Sequence, residues 1–173
     1  MKLTKKQKEM LPILIFLIKM IILSLPLYIV LYFGISLQPL QEAVTEQALL
    51  IFDAAGFNPS REGFLITVKR THEFTFAISE DCMPWKSIWL LIALMIAVPK
   101  IKIERRLSGI VSGSAILWIG NLSRIFYIVL AEQFIGYKFA MLIHDYLWKA
   151  FLVALVLLIW IVWLQWNGKL KRR

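Results

Sequence analysis

The chain has 173 residues, 60% of them hydrophobic, with a mean hydropathy of +0.71 and a net charge of +9. So apolar a composition excludes a soluble domain of this size and points to an integral membrane protein. The positive charge does not describe a nucleic-acid surface. Twelve of the 20 lysines and arginines fall in three clusters, Lys2 to Lys8, Lys100 to Arg106 and Lys169 to Arg173. Each flanks an apolar run, as cytoplasmic anchors do, and none is interleaved with aromatics on one face. Cys82 is the one cysteine, which excludes an internal disulfide, a Cys-x-x-Cys redox pair and a multi-cysteine zinc site.

The first apolar run, Met10 to Phe33, is long enough to cross a ~30 Å hydrocarbon core. A cleaved signal peptide has an apolar region of only about 7–15 residues, so this run reads as a retained anchor. Pro12 is expected in the first turn and Pro26 at an internal kink. Lys19 either snorkels to the cytoplasmic edge or pairs inside the bundle; snorkelling is the preferred reading. From Gln38 to Phe57 the pattern becomes helical. Leu40, Val44, Ala48, Ile51 and Ala55 form an apolar stripe, with Gln41, Glu42, Thr45 and Glu46 off it. Pro39 suits its start and Gly56 its stop. The expectation is an extracytoplasmic amphipathic helix, either a packing helix or one wall of a substrate groove.

Between Gly63 and Ser79 the period shortens to two. Phe64, Ile66 and Val68, then Phe74, Phe76 and Ile78, alternate around the polar turn Arg70-Thr71-His72. This predicts a β-hairpin packed on its neighbours, with His72 a solvated turn residue. Apolar run two, Trp85 to Val98, is short. Its helix either begins at Met83 and runs past Pro99, or is tilted and mismatched. Run three, Leu107 to Phe134, carries Gly109 and Gly113 as a small-xxx-small face. Run four is Tyr146 to Trp166. Trp85 and Trp148 mark one membrane interface, and Trp163 and Trp166 the other. The fold class is therefore a membrane all-α protein with about four transmembrane helices, an amphipathic helix and a short β-hairpin. It forms one integral membrane domain over residues 1–173, with an extracytoplasmic insert at about 34–84 and both termini in the cytoplasm.

That topology sets three reactive side chains at one depth. Arg124 lies about 17 residues beyond Leu107, roughly 26 Å along a helix, which is just beneath the outer surface. Cys82 precedes the outer start of run two, and His144 the outer start of run four. A buried arginine in a membrane is costly and usually has a specific role; the alternative is snorkelling to lipid phosphate. Asn121, one turn before Arg124, can hydrogen-bond the guanidinium and hold it inward. A free thiol is mostly protonated at neutral pH and needs activation. A histidine can take its proton, and a guanidinium can stabilise both thiolate and oxyanion. Glu80 and Asp81 oppose a thiolate; they either bind a basic part of a substrate or are screened by water. Asp145 adjoins His144 but need not orient it.

Cys82-Met83-Pro84-Trp85-Lys86-Ser87, Asn121-Leu122-Ser123-Arg124 and His144 together resemble the exosortase/archaeosortase family. Its pattern is a cysteine after an extracytoplasmic loop, an Asn-x-x-Arg motif on the next helix and a histidine before a later one. The resemblance implies a membrane-embedded cysteine transpeptidase or protease at the cell membrane, with its active site at the extracytoplasmic face. Cys82, Arg124 and His144 would be catalytic and Asn121 supporting, with no cofactor and no metal. Its partners would be secreted proteins bearing a C-terminal sorting signal: a short motif, an apolar helix and a basic tail. They would be cleaved through a thioester on Cys82 and transferred to a membrane lipid or other acceptor, with no nucleic acid involved. Two departures stand out. The chain has half the roughly eight spans of many members, which suggests a reduced core completed by a homo-oligomer or a partner. Met83-Pro84 also replaces the usual Thr-Gly, and Pro84 carries no N–H. The rival readings are hydrolysis without transfer, and a non-enzymatic membrane scaffold or anion-binding module using Arg124.

Overall fold

A computed structural model describes residues 5–142, 144 and 148–170, with backbone alone for 5–9, 148–149 and 169–170. Lys2, Asp145, Tyr146, Lys171, Arg172 and Arg173, which figure in the sequence reading, lie outside the described residues. The chain is mostly helical: α1 Lys5–Tyr32, α2 Gln38–Ala54, α3 Trp85–Ala97, α4 Ile103–Ile135, α5 Tyr137–Leu142 and α6 Trp148–Leu170. Three strands, β1 Ser60–Glu62, β2 Leu65–Lys69 and β3 Glu73–Ala77, and a 3₁₀ turn, Glu80–Cys82, lie between α2 and α3. Among the described residues three stretches are long and apolar enough to cross a membrane, Met10–Tyr32, Ile103–Ile135 and Ala150–Gly168. The chain is thus a multi-pass membrane protein. The fourth expected span is α3, whose 13 residues reach about 20 Å, short of a ~30 Å core. It neither begins at Met83 nor passes Pro99. Proline disfavours helical backbone in the residue before it and has no N–H to donate, so the helix stops at Ala97.

Two compact units emerge. The first comprises Met1–Ile35, Lys86–Ala115 and Leu155–Arg173. Pro12 was expected in a first turn, but α1 starts at Lys5, so both prolines lie inside it. Pro26 cannot donate to the preceding turn, and Trp89 Nε1 of α3 donates to the Leu23 carbonyl in that turn at 2.8 Å. The small face of α4 is used within the chain. Gly109 lies under the Trp163 indole, whose Nε1 donates to the Arg105 carbonyl at 3.1 Å. Gly113 abuts Leu91 and Ile159. Arg106 Nη2 donates to the Val98 carbonyl at 2.9 Å, satisfying an acceptor just beyond the end of α3.

The second unit, Ser36–Trp85 and Ile116–Ala154, carries the sheet. Its α2 ends in a Schellman motif. Gly56 takes φ +76°, its N–H reaches the Asp53 carbonyl, and the Phe57 N–H reaches the Phe52 carbonyl. The accompanying apolar contact is Phe52 on Phe57, ring centroids 5.6 Å apart. Phe126 of α4 stacks on Phe52 and Phe76 meets its edge, so helix, sheet and α4 share one aromatic core. The α2 stripe is shifted from expectation. Val44, Ala48 and Phe52 are buried, and so is Thr45, whose hydroxyl is satisfied by the Gln41 carbonyl at 2.7 Å.

The hairpin forms with its turn at residues 70–72: Lys69 faces Glu73 and Leu65 faces Ala77. It gains a third strand, β1, antiparallel to β2, giving the order β1-β2-β3. The turn is exposed, with His72 about half accessible as expected, but it is tethered to α4. His72 Nε2 lies 2.8 Å from the buried Glu132 carboxylate. Gln133 Oε1 accepts the Thr71 N–H at 2.9 Å, and Gln133 Nε2 donates to the His72 carbonyl at 3.2 Å. Arg70 lies over the Phe57 ring at 4.8 Å. The end of α4 thereby fixes the turn. Trp85, expected at a membrane interface, packs against the core around Met83.

Candidate functional site

The 3₁₀ turn that follows β3 presents Cys82. Its N–H closes on the Ser79 carbonyl at 2.9 Å, and the next N–H, of Met83, reaches the Glu80 carbonyl at 3.4 Å. Pro84 has no N–H and begins the entry to α3. The backbone donors beside the sulfur are thus engaged or missing. Met83 is buried in the aromatic core and fixes the turn from below, while Cys82 stays half-buried, its Sγ 3.5 Å from the Ser79 hydroxyl. Glu80 and Asp81 are exposed at the turn.

Opposite lies α4. Arg124 is only 4% exposed. Its Nη1 donates to the Asp81 carbonyl at 3.3 Å and its Nη2 lies 3.0 Å from His144 Nε2. A guanidinium has donors only, so Nε2 must accept, which places the neutral imidazole's proton on Nδ1. Arg124 Nε is buried without a partner among the described residues. The arginine therefore faces inward, not toward lipid phosphate. Asn121 differs from expectation. Fully buried, it donates from Nδ2 to the Cys82 carbonyl at 2.7 Å and does not hold the guanidinium. A loop carbonyl removed from water needs a donor, and that need outweighs the neighbour one turn along the helix.

Cys82, Arg124 and His144 line one cavity of about 300 Å³. Its walls are mainly apolar: Phe74 to Ala77 of β3 and Ile78 just beyond it, Ile125, Ile128 and Val129 of α4, and Tyr137 and Met141 of α5. Sequence reasoning thus found three polar side chains that the fold brings to one space. It missed that β3 and α5 complete that space. The alternation of Phe74, Phe76 and Ile78 marks a strand but not its position at the sheet edge, and α5 is too short to show a period.

The model of the transmembrane exosortase family matches residues 4–163. The chain belongs to that family. The match takes in every element of this exosortase from α1 into α6, including the three cavity residues. No curated protein and no solved structure matches it significantly. Among the described residues no cluster of three or more His, Cys, Asp or Glu could hold a metal ion.

Proposed function

We propose that this exosortase is a membrane cysteine transpeptidase that cuts the C-terminal sorting signals of secreted proteins through a thioester on Cys82. The observation that carries the reading is the common cavity of Cys82, Arg124 and His144, with the guanidinium already on the imidazole. As substrate enters, Arg124 Nη2 moves from His144 Nε2 to the scissile carbonyl oxygen, and the freed Nε2 lone pair takes the thiol proton as Sγ attacks the carbonyl carbon. The carbonyl oxygen becomes an oxyanion. The amides of Cys82 and Met83 are bonded elsewhere and Pro84 has none, so Arg124 is the donor that stabilises it. The imidazolium then protonates the departing amine as the C–N bond breaks, leaving the thioester. An amine on a lipid or other acceptor attacks next, and the thiolate leaves and regains its proton. Asn121 positions the cysteine through its carbonyl.

In this reading the cavity opens on the extracytoplasmic side, both termini are cytoplasmic with α3 crossing as a short fourth element, and self-association supplies what the reduced span count lacks. Co-expression with a secreted protein bearing a motif, an apolar helix and a basic tail tests it. The substrate should shorten with the native chain and stay full length with Cys82→Ala. Equal processing by both would end the proposal. Mass spectrometry of the mature C-terminus then separates transfer to an acceptor from hydrolysis.

A further inference from the structure

β3 is an edge strand among the described residues: the sheet order is β1-β2-β3, and β3 pairs with β2 alone. The ladder shows which of its backbone groups are free. Phe64 and Ile78 continue the register, and the Ile78 N–H reaches the Phe64 carbonyl at 2.9 Å, so this is a hydrogen-bonded pair. Pairs alternate in an antiparallel ladder, so Ile66 with Phe76 and Val68 with Phe74 are bonded pairs, whereas Thr67 with Thr75 and Leu65 with Ala77 are not. The hydroxyls of Thr67 and Thr75 lie 2.8 Å apart, as the closer approach of a non-bonded pair allows. The N–H and C=O of Thr75 and Ala77 therefore point away from β2. Both residues line the cavity that holds the thiol, and Ser79, next in that alternation, has its hydroxyl 3.5 Å from Sγ.

We infer that the free edge of β3 is the substrate-docking element: an extended peptide pairs with Thr75 and Ala77 as a fourth strand and is thereby led to Cys82. This rests on the reading of Cys82 as the nucleophile and specifies how its substrate is held. Main-chain pairing supplies affinity, and alternate side chains of the bound peptide meet the apolar floor of Ile125, Ile128 and Val129. The ligand class is an unfolded, proline-poor segment with small or β-branched residues at every second position. A folded domain or a helix cannot reach the edge groups.

The probe is a synthetic pentapeptide, Thr-Val-Thr-Val-Cys, whose cysteine is activated as a pyridyl disulfide. Cys82 displaces pyridine-2-thione, and one disulfide is exchanged for another. The stability of the mixed disulfide against a thiol buffer is measured for peptides N-methylated at each amide in turn. Edge pairing predicts that alternate methylations weaken the tether about fivefold to tenfold, the loss of one hydrogen bond, while those between have no effect. Thr75→Pro removes an edge donor and the hydroxyl contact with Thr67 but no backbone bond to β2, so it should weaken the unmodified tether to a similar extent, whereas Thr75→Val, which loses the hydroxyl alone, should not. Equal response at all positions would overturn the inference. So would failure of the peptide to tether to a Cys82 that a small thiosulfonate still labels. Failure of the transpeptidase reading registers separately, as full processing of a co-expressed substrate by Cys82→Ala.

Discussion

Replacing Asn121 with alanine separates a support for the thiol from a support for the fold. The side chain is fully buried, and its Nδ2 is 2.7 Å from the Cys82 carbonyl. Stranding that carbonyl costs about 1–3 kcal/mol. An opposing effect exists, because Asn121 Oδ1 is itself buried without a partner among the described residues, and its removal returns on the order of 1 kcal/mol. The net destabilisation is thus about 0–2 kcal/mol, small against the total stability of a folded chain. The effect on the cysteine should be much larger. Its carbonyl is released while Met83 remains fixed in the core, so Sγ loses its set direction toward the cavity, and misplacement of a reacting atom by ~1 Å can cost a hundredfold in rate. The assay pairs thermal unfolding of the purified protein with processing of a co-expressed sorting-signal substrate. Asn121→Ala should unfold at most a few degrees lower and process at least tenfold more slowly. Native processing at native stability would show that the bond neither positions the thiol nor holds the turn.

Three further outcomes follow from the same contacts. Arg124→Lys keeps a charge but cannot span the Asp81 carbonyl and His144 Nε2 together, so substrate processing should fall by a factor of about 10²–10³, as when an oxyanion donor is removed. Gly109→Ala should destabilise by about 1–3 kcal/mol in a thermal melt, because the added methyl falls on the rigid Trp163 indole. Gly113→Ala meets the flexible end of Leu91 and should cost less, so the order of the two melts is the check. Gln133→Ala removes the acceptor of the Thr71 N–H and the donor to the His72 carbonyl, so hydrogen exchange at residues 71–72 should speed by about tenfold or more while exchange in α2 is unchanged.

Much of the candidate site was legible because each of its residues contradicts its surroundings. An arginine and an asparagine inside an apolar run, and a cysteine and a histidine at the margins of two others, can be seen without structure. The hairpin was visible as a two-residue period and the end of α2 as a glycine where a left-handed residue was needed. The third strand was not, because Ser60–Glu62 is polar and exposed throughout and owes its form to backbone pairing with β2. Glu132 and Gln133 were invisible for another reason. Their partners lie some sixty residues earlier in a turn, and no local pattern reports such a contact. Asn121 was assigned the wrong partner because helix periodicity names neighbours along one element only, whereas a buried carbonyl on another element made the stronger demand.

The core beneath Cys82 is built by protein on protein: Phe52, Phe57, Met83, Ile125 and Val129 cover one another. By contrast, the apolar window of α1 has none of its residues buried. A change of detergent, or of acyl-chain length in a reconstituted bilayer, replaces what touches α1 but not what touches that core. The surroundings of the thiol should therefore survive solubilisation that alters the anchor helix, and the rate at which a small alkylating reagent labels Cys82 should vary little from one micelle to another.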